Sequence, residues 1–378
     1  MEAQATSKIL RALSELPDPR RHNVRHPLMD VLTIALFAVL CGADGWVDVV
    51  AYAQAKQAWL RSFLELPGGI PSHDTFGRVF ARLNPEAFEQ CLREWLSALV
   101  DLSGGQLVAI DGKSLRRSFE NGWDKSGMVH MVSAFAAANS LVFAQVKTDG
   151  KGQELDGIKK LLALLDLEGA VVTIDALGCQ KDIAQLIVQA KADYLLQVKD
   201  NQPTLRDKIQ TVFDEAVLEG FAGYAHATAT TVDGGHGRIE TRTVHVLWDI
   251  EHLGPIAREW PGLRSLARVE RTRQIGEKTT TEYHYYIATL DRRKTAGQFL
   301  GYSRGHWGVE NKVHWILDVA FNEDQRRIRV GHGAENFSRL CRTSLNLLKA
   351  EKTYKVGIAA KRKACGWDNQ YLLKVVAT

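Results

Sequence analysis

Two aspartates follow short apolar segments that are typical of buried β-strands. Asp111 ends the run LVAID, and Asp175 ends the run VVTID. A carboxylate at the carboxyl end of a buried strand lies on a rigid element at the edge of a sheet, where ligands bind in α/β folds. If the two strands are neighbours, the carboxylates repel each other unless a cation neutralises them. The pair therefore predicts a cation site.

The donor atoms of this pair indicate which cation would bind. Carboxylate oxygens suit Mg²⁺ or Mn²⁺. Two such ions, about 3.5–4 Å apart, can hold the attacking and leaving oxygens of a phosphodiester. The spacing therefore favours metal-dependent phosphodiester chemistry. For either aspartate alone, a helix cap or a turn remains an equally good interpretation.

A third acid is expected in the segment Arg304–Asp318, which has helical periodicity. Glu310 stands at its centre, with Trp307 and Trp315 on neighbouring faces, and is our candidate. Four residues recur at intervals of four and so share one helix face: His306, Glu310, His314 and Asp318. The competing acids are Asp318, Glu323 and Asp324.

The same segment permits two other interpretations. His306, Glu310 and His314 have a spacing that could bind zinc, but the two aspartate strands would then have no role. A tryptophan-rich amphipathic helix could also simply pack on the sheet, although its polar face argues against complete burial.

The elements around the aspartates predict an α/β domain. Residues 104–204 read as three strands, a helix, a strand, a helix and a last strand, with the second and third strands forming a hairpin. This order resembles the ribonuclease-H-like fold. Residues 205–290 alternate with period two and predict a β-rich insertion, after which residues 291–350 return to helix and complete the core. Residues 351–378 are expected to be a short basic tail.

Residues 1–100 predict an N-terminal helical domain. The run from Val31 to Ala43 is apolar nearly all round and should be a central helix. A later helix should begin near Ser72 or Asp74 and carry Arg78 and Arg82 on one face. A short helix, a Gly-rich turn and an Arg-bearing helix suit a helix-turn-helix-like DNA-binding unit, although a plain helical bundle gives the same pattern.

Composition excludes several classes of protein. The chain has 378 residues, of which 45% are hydrophobic and 24% charged, with a net charge of +4. These values are typical of a globular protein with two or three domains. The five widely spaced cysteines predict neither a disulfide framework nor a cysteine zinc site. Because no signal peptide or membrane span is evident, we expect a cytoplasmic, nucleoid-associated protein that does not bind membranes.

Several motifs together resemble the H-repeat-associated family of bacterial insertion-sequence DDE transposases. The resemblance covers roughly residues 15–350. The matching residues are Ala109–Lys113, Thr173–Ala176 with Gly178–Gln180, Leu196–Gln202, His236–Arg238 with Glu240 and Arg242, and the block Arg304–Asp318.

This resemblance implies a DNA transposase with a ribonuclease-H-like core and a β-rich insertion. It implies that Asp111, Asp175 and Glu310 are both the catalytic and the metal-binding residues, holding two Mg²⁺ ions for which Mn²⁺ can substitute. The implied partners are double-stranded transposon ends and target DNA, and a homodimer on that DNA. The expected DNA-binding residues are Lys113, Arg116, Lys199, Asn201, Gln202, His236, Arg238, Arg304, His306, Lys312, Arg78 and Arg82.

One motif departs from related transposases, which carry Tyr-x-x-Arg-x-x-x-Glu and a Lys seven residues after the Glu. Here Tyr302 and Arg304 are out of register, and Leu317 occupies the Lys position. We hypothesise that His306, Arg304 and Lys312 substitute as phosphate contacts. Two rival functions stay open: a metal-dependent nuclease without strand transfer, and an inactive relic that only binds DNA.

Overall fold

The fold is described from a computed structural model. It describes residues 7–21, 24–97, 100, 102–119, 127–148, 150–235 and 237–378. Within these residues the protein is a mixed α/β structure built around one nine-stranded mixed sheet. No described helix combines the length and the apolar composition that crossing a bilayer requires.

The N-terminal region is helical, as expected. Its central helix α2 is buried at every position from residue 30 to residue 40, because its sequence is apolar on all sides. Ser72 caps α5 by accepting a hydrogen bond from the backbone N–H of Thr75 (3.3 Å). The helices are α1 (Lys8–Ser14), α2 (Leu28–Leu40), α3 (Trp46–Ala55), α4 (Gln57–Leu60), α5 (His73–Arg82) and α6 (Pro85–Ser97).

The expected helix-turn-helix unit is wrong in its geometry. Residues 61–72 separate α4 from α5, whereas a helix-turn-helix has a turn of about three or four residues. The connection packs Leu64 and Leu66 into the core before a turn in which the N–H of Gly69 donates to the carbonyl of Leu66 (3.0 Å). Arg78 and Arg82 are nevertheless exposed on α5.

Five strands form the half of the sheet that carries the aspartates. β1 lies between β2, which is antiparallel to it, and β4, which is parallel to it. β5 follows β4 in parallel, and β3 closes the edge beside β2. These strands are β1 (Leu107–Ser114), β2 (His130–Ala136), β3 (Leu141–Thr148), β4 (Val171–Ile174) and β5 (Asp193–Val198).

Helices cover both faces of this sheet because alternate residues of a strand point to opposite sides. Val172 and Ile174 of β4 belong to the core that includes α7 (Glu154–Leu164) and α8 (Lys181–Gln189). Val171 belongs instead to the core formed with α10 (Ala296–His306). The order of strands and helices in residues 104–204 is therefore as predicted.

The insertion differs from the prediction at its start. Residues 203–218 form helix α9 (Pro203–Leu218), because Leu205, Ile209, Val212 and Ala216 recur with helical spacing and are buried. Four antiparallel strands follow, and the last of them pairs with β5, so the insertion extends the core sheet. They are β6 (His226–Gly235), β7 (Arg238–Leu247), β8 (Ser265–Ile275) and β9 (Lys278–Ala288).

Residues 351–378, expected to be a short basic tail, form helices that pack on the rest of the protein. Arg362 is 5% exposed, and its guanidinium donates to the carbonyl of Val39 at the end of α2 (2.8 Å). Lys361 is likewise buried and donates to the carbonyl of Leu348. The C-terminal helices are α11 (Trp315–Phe321), α12 (Gly333–Ala350), α13 (Ile358–Trp367) and α14 (Asn369–Val376).

Candidate active site

The two aspartates lie side by side on parallel strands. Ile110 of β1 pairs with Ile174 of β4, so Asp111 and Asp175 each stand one residue beyond the paired positions. β1 continues past Asp111 against β2, whereas β4 ends and the chain turns away after Asp175. The carboxylates are fixed by backbone donors: Asp111 accepts from the N–H of Gly112 (2.9 Å), and Asp175 accepts from the N–H of Leu177 (3.0 Å).

Glu310 reaches this edge from a π-helical turn, Glu310–His314, between α10 and α11. His314 Nδ1 lies 3.0 Å from Glu310 Oε2 and 3.5 Å from Asp111 Oδ2. One ligand atom of each of Asp111, Glu310 and His314 lies within 4.8 Å of the other two. Asp175 is outside this group. A π-turn inserts an extra residue into the helix and often occurs at functional sites; here it directs Glu310 and His314 to the same point.

Two further residues lie at the site beside the three predicted acids. His314 lies on the predicted helix face, but only the fold shows that its buried ring contacts both Asp111 and Glu310. Glu154, at the start of α7, is 7% exposed, and its Oε2 lies 3.2 Å from His130 Nε2. A Cβ at Gly112 would lie 2.5 Å from the Glu154 carboxylate, so only glycine lets this acid pack beside Asp111. Nothing in the local sequence marks Glu154.

The carboxylates perturb one another. Burial raises the pKa of Asp111 to about 6, with smaller contributions from Asp175 and Glu154, while His314 acts in the opposite direction. Burial and the charge of Glu154 also raise the pKa of Asp175. The hydrogen bond with His314 lowers the pKa of Glu310. Acids crowded in a partly buried pocket are stabilised by a cation, so the site fits a divalent metal with oxygen ligands.

A zinc site using both histidines is not formed among the described residues. His306 is 9% exposed, and its Nδ1 lies 3.2 Å from Thr173 Oγ1 on β4. Burial lowers the pKa of His306 to about 4, so the ring is neutral at physiological pH. This burial argues against the expected phosphate contact of His306, and the ring instead holds α10 against the sheet.

The acids that compete with Glu310 have other partners. Asp318 accepts a hydrogen bond from Lys113 (2.6 Å), and Asp324 pairs with Arg116 (3.0 Å). Glu323 is 3% exposed and accepts from Ser338 (2.9 Å). Lys113 and Arg116, both expected to bind DNA, are thus paired within the protein, although Arg116 remains largely exposed.

The polar residues after β5 divide into two kinds. Asn201 donates to the carbonyl of Ala176 (2.6 Å), and Gln202 donates to the carbonyl of Cys179 (3.1 Å). Both amides therefore hold the loop that follows Asp175, and these contacts leave them less free to bind DNA than expected. Lys199 is exposed, and its charge acts to lower the pKa of Asp175, so it lies near the site.

The insertion forms one wall of a cavity beside Glu310. The cavity has a volume of about 460 Å³, and half-exposed Trp307 also lines it. Of the expected DNA contacts, Arg304 pairs with Asp233 (2.9 Å), Arg238 pairs with Glu240 (3.0 Å), and Lys312 is exposed. His236 lies outside the described residues. The arginines lining the cavity are Arg238, Arg242, Arg271 and Arg304.

The raised pKa of Asp111 predicts a stability change. In the folded protein Asp111 holds its proton more tightly than in the unfolded chain, so stability is lost as pH rises from about 4 through about 6. Asp111→Asn cannot ionise. We therefore expect the metal-free variant to melt a few degrees higher than wild type at pH 7.5, with a smaller difference at pH 5.

Calorimetry in EDTA measures both melting temperatures. Asp182→Asn is the matched control. The hydrogen bond from Lys159 lowers the pKa of exposed Asp182, so removing this carboxylate should not raise the melting temperature. Equal melting temperatures for wild type and Asp111→Asn at pH 7.5 would contradict the prediction. Mn²⁺ should raise the melting temperature of wild type more than that of Asp111→Asn.

Comparison with known proteins identifies relatives over the whole chain. "H repeat-associated putative transposase YhhI" of Escherichia coli K12 is 36% identical over 376 residues, covering 98% of each chain. "Putative transposase YncI" of Escherichia coli O157:H7 is 38% identical over 375 residues, covering 98% of this chain and 94% of its own. The shorter "Inactive transposase YbfQ" of strain K12 is 34% identical over 76 residues, 20% of this chain and 90% of its own.

A solved structure and two protein families also match. The structure is a piggyBac transposase synaptic complex with hairpin DNA, with a TM-score of 0.41 and 12% identity, covering 99% of this chain and 80% of that one. The family "DDE_Tnp_1-associated" matches residues 10–96. The family "Transposase DDE domain" matches residues 102–347, the region that contains Asp111, Asp175 and Glu310. Because that match spans most of the chain and full-length relatives accompany it, the protein belongs to the DDE transposase family, among its H repeat-associated members.

Proposed function

We propose that the protein is an active DNA transposase. It hydrolyses a phosphodiester at each end of a mobile element and then directs the freed 3′-OH against target DNA. The observation that carries this proposal is the meeting of Asp111, Glu310 and His314 beside the neighbouring strand that bears Asp175. Both reactions are in-line displacements at phosphorus, so a single site of this kind can serve them in turn.

The strand order supports a ribonuclease-H-like catalytic core. In the order β3-β2-β1-β4-β5, four strands share one direction and only β2 is antiparallel to them. We assign the core to residues 104–204 and 291–350, the insertion to residues 205–290, and the DNA-associated helical domain to residues 1–100. Residues 351–378 are assigned to helices that pack on α2.

We assign the metal-binding role to Asp111, Asp175 and Glu310. Their oxygens suit Mg²⁺, with Mn²⁺ as a substitute, and two ions per site would suit a displacement at phosphorus. Bound divalent ions polarise the phosphate and lower the pKa of the attacking hydroxyl. The raised pKa of Asp111 and Asp175 supports this fit, because these buried carboxylates form no ion pair with a lysine or arginine among the described residues and a bound metal ion would stabilise their charge.

The chain's own side chains orient these acids. His314 contacts Glu310 and Asp111 at once and therefore fixes their relative positions. Lys199 lies near Asp175, where an exposed cation can attract a DNA phosphate. We propose Arg116, Lys199, Arg238, Arg304 and Lys312, with Arg78 and Arg82 on α5, as the DNA contacts. Synapsis of two ends implies a homodimer on DNA.

The test is strand transfer from a pre-cut end. A labelled duplex that carries the element's terminus with a free 3′-OH is incubated with supercoiled plasmid, Mg²⁺ and the wild-type protein. Label joined to the plasmid is the expected result. Cleavage of an uncut duplex without joining would establish the nuclease alternative. Binding of DNA without cleavage or joining, in Mg²⁺ or in Mn²⁺, would instead show an inactive relic that only binds DNA. The name "Inactive transposase YbfQ" describes one relative in such terms.

A further inference from the structure

One lysine joins the last turn of α12 to the π-helical turn that carries Glu310 and His314. The Nζ of Lys349 donates to the carbonyl of Lys312 (2.7 Å), which lies midway between those two residues in the chain. The same Nζ donates to the carbonyl of Ser140 (2.8 Å), in the turn that connects β2 and β3. A single side chain therefore ties the π-helical turn to the sheet.

The surroundings of Lys349 give its charge no acidic partner. Within the part of the chain that the structure describes, Lys349 forms no ion pair with a carboxylate, and its Nζ lies 5.6 Å from the centre of the Phe135 ring. Burial lowers the pKa of Lys349 to about 7, and the charges of Lys312 and Lys352 act in the same direction. Because burial disfavours the charged amine, this lysine is poorly suited to add stability. Its two hydrogen bonds indicate instead a role in holding the π-helical turn.

Helix α12 has a separate anchor on the same side of the sheet. One turn before Lys349, the side-chain amide of Asn346 donates to the carbonyl of Val142 (2.7 Å) and accepts from its N–H (3.1 Å). Val142 belongs to β3, which is an edge strand. Asn346 is 2% exposed, so water does not compete for these bonds. Docking of α12 therefore does not require Lys349, and a variant without its amine should keep the helix in place.

The ring of Phe135 lies against the same helical segment just before Glu310. A Cβ at Gly308 would lie 3.4 Å from Cε1 of Phe135, so the backbone packs closely on the ring there. Phe135 is fully buried and lies on β2, which pairs with the strand of Asp111. The segment that carries Glu310 is thus held to the sheet on both sides of this residue, by packing before it and by the Lys349 hydrogen bond after it.

We propose that Lys349 is a positioning residue of the candidate active site, whose amine holds the π-helical turn so that Glu310 and His314 face Asp111. This inference rests on the proposed function and adds to it a residue from a helix outside the acid cluster. Lys349 acts through another residue, since its contact is with the backbone carbonyl of Lys312.

Metal affinity tests whether Lys349 positions the acids. Binding of Mn²⁺ to wild type and to Lys349→Met is measured by calorimetry without DNA. Loss of a residue that orients ligands weakens metal affinity by about 10- to 100-fold, and we expect a loss within this range. Removal of a nearby positive charge would by itself tighten the binding of a cation, so electrostatics alone predicts the opposite sign. Lys349→Arg keeps donors for the two carbonyls and should regain part of the affinity.

Stability in EDTA separates positioning from a general structural role. Methionine resembles lysine in length and removes a partly buried charge, so Lys349→Met should melt no lower than wild type. The matched control is Lys352→Met, which removes an exposed lysine three residues away and should leave metal affinity and melting temperature close to those of wild type. A lower melting temperature of Lys349→Met with unchanged Mn²⁺ affinity would overturn the proposal.

Hydrogen exchange gives a readout that needs no bound metal. In EDTA, the amides of residues 307–321 should exchange about fivefold faster in Lys349→Met, because a lost hydrogen bond eases local opening. Residues 141–148 of β3 should exchange as in wild type, since Asn346 still holds this strand. Equal exchange of residues 307–321 in both proteins would show that Lys349 does not hold the π-helical turn.

These measurements distinguish failure of the inference from failure of the proposed function. If Lys349→Met shows the expected changes but wild type never cuts or joins DNA, only the proposed function is rejected. If wild type joins DNA and Lys349→Met binds Mn²⁺ as tightly as wild type, only the inference is rejected. Wild type that binds no Mn²⁺ would overturn both, because no metal site would then exist for Lys349 to position.

Discussion

Asp111→Asn, Asp175→Asn and Glu310→Gln are each expected to lower cleavage and strand transfer by at least about 10³-fold while DNA binding is retained. Each change preserves the shape of the side chain and removes one negative charge. A neutral amide binds a divalent cation more weakly and neutralises less of its charge. Rates of cutting and joining on a labelled end, with binding measured in parallel, give the result.

The matched controls for this prediction are the acids that compete with Glu310. Asp318→Asn and Asp324→Asn remove charge from residues that pair with Lys113 and Arg116, and they should keep most activity. If Glu310→Gln stays active while Asp318→Asn does not, the third acid is Asp318. Retained activity in Asp111→Asn would reject the site as a whole.

His314→Ala should have a smaller effect of a different kind. The ring touches two of the proposed metal ligands, Asp111 and Glu310, and so positions them. Loss of a residue that orients ligands typically weakens metal affinity by about 10- to 100-fold. We therefore expect activity to fall at low Mn²⁺ and to recover in part at high Mn²⁺. If the activity of His314→Ala is reduced equally at low and high Mn²⁺, a positioning role for His314 is contradicted.

The largest expected loss of stability is at Arg342. This residue of α12 is 2% exposed, and its guanidinium lies 3.5 Å from Glu323, which is also buried. Burial raises the pKa of Glu323, but Arg342, Arg326 and Lys113 outweigh that effect, and the net pKa is lowered. Arg342→Met leaves Glu323 without its closest cation. Breaking a buried pair from one side costs about 3–5 kcal/mol in the free energy of unfolding.

Urea unfolding measures this loss. Arg273→Met, at an exposed position of β8, is the control and should change stability by less than about 0.5 kcal/mol. The double variant Glu323→Gln/Arg342→Met should recover part of the loss, because no unpaired charge then remains in the interior. If Arg342→Met is as stable as Arg273→Met, the buried charge of Glu323 does not need Arg342 to stabilise it.

This buried pair also supports the candidate site. Glu323 is followed directly by Asp324, which pairs with Arg116 and lies near Lys113. Ser338 of α12 donates to Glu323, and Arg339 of the same helix pairs with Glu89 of α6 (2.9 Å). Helix α12 therefore connects the residues behind the site with the N-terminal helices. We expect Arg342→Met to impair activity at temperatures where it is still folded.

Local patterns in the sequence determined the elements and several members of the site. Short apolar runs predict the buried part of β1 and the whole of β4, and Asp111 and Asp175 follow these runs directly. The uniformly apolar stretch predicts the buried helix α2. These predictions succeed because side-chain periodicity and burial within one element depend on neighbours in the sequence. The central position of Glu310 in its helical segment made it a candidate, and the family motifs favoured it over Asp318 and Glu323.

The tertiary structure decided which of these residues meet. His306 and His314 have equivalent spacings from Glu310, yet one ring is buried against Thr173 and the other contacts Asp111. Glu154 and the folded C-terminal helices likewise carry no local signature. Each depends on packing between segments far apart in the chain, and the spacing of residues within one element carries no information about such distances. The sequence alone determined which chemistry is present, and packing decided which side chains can perform it together.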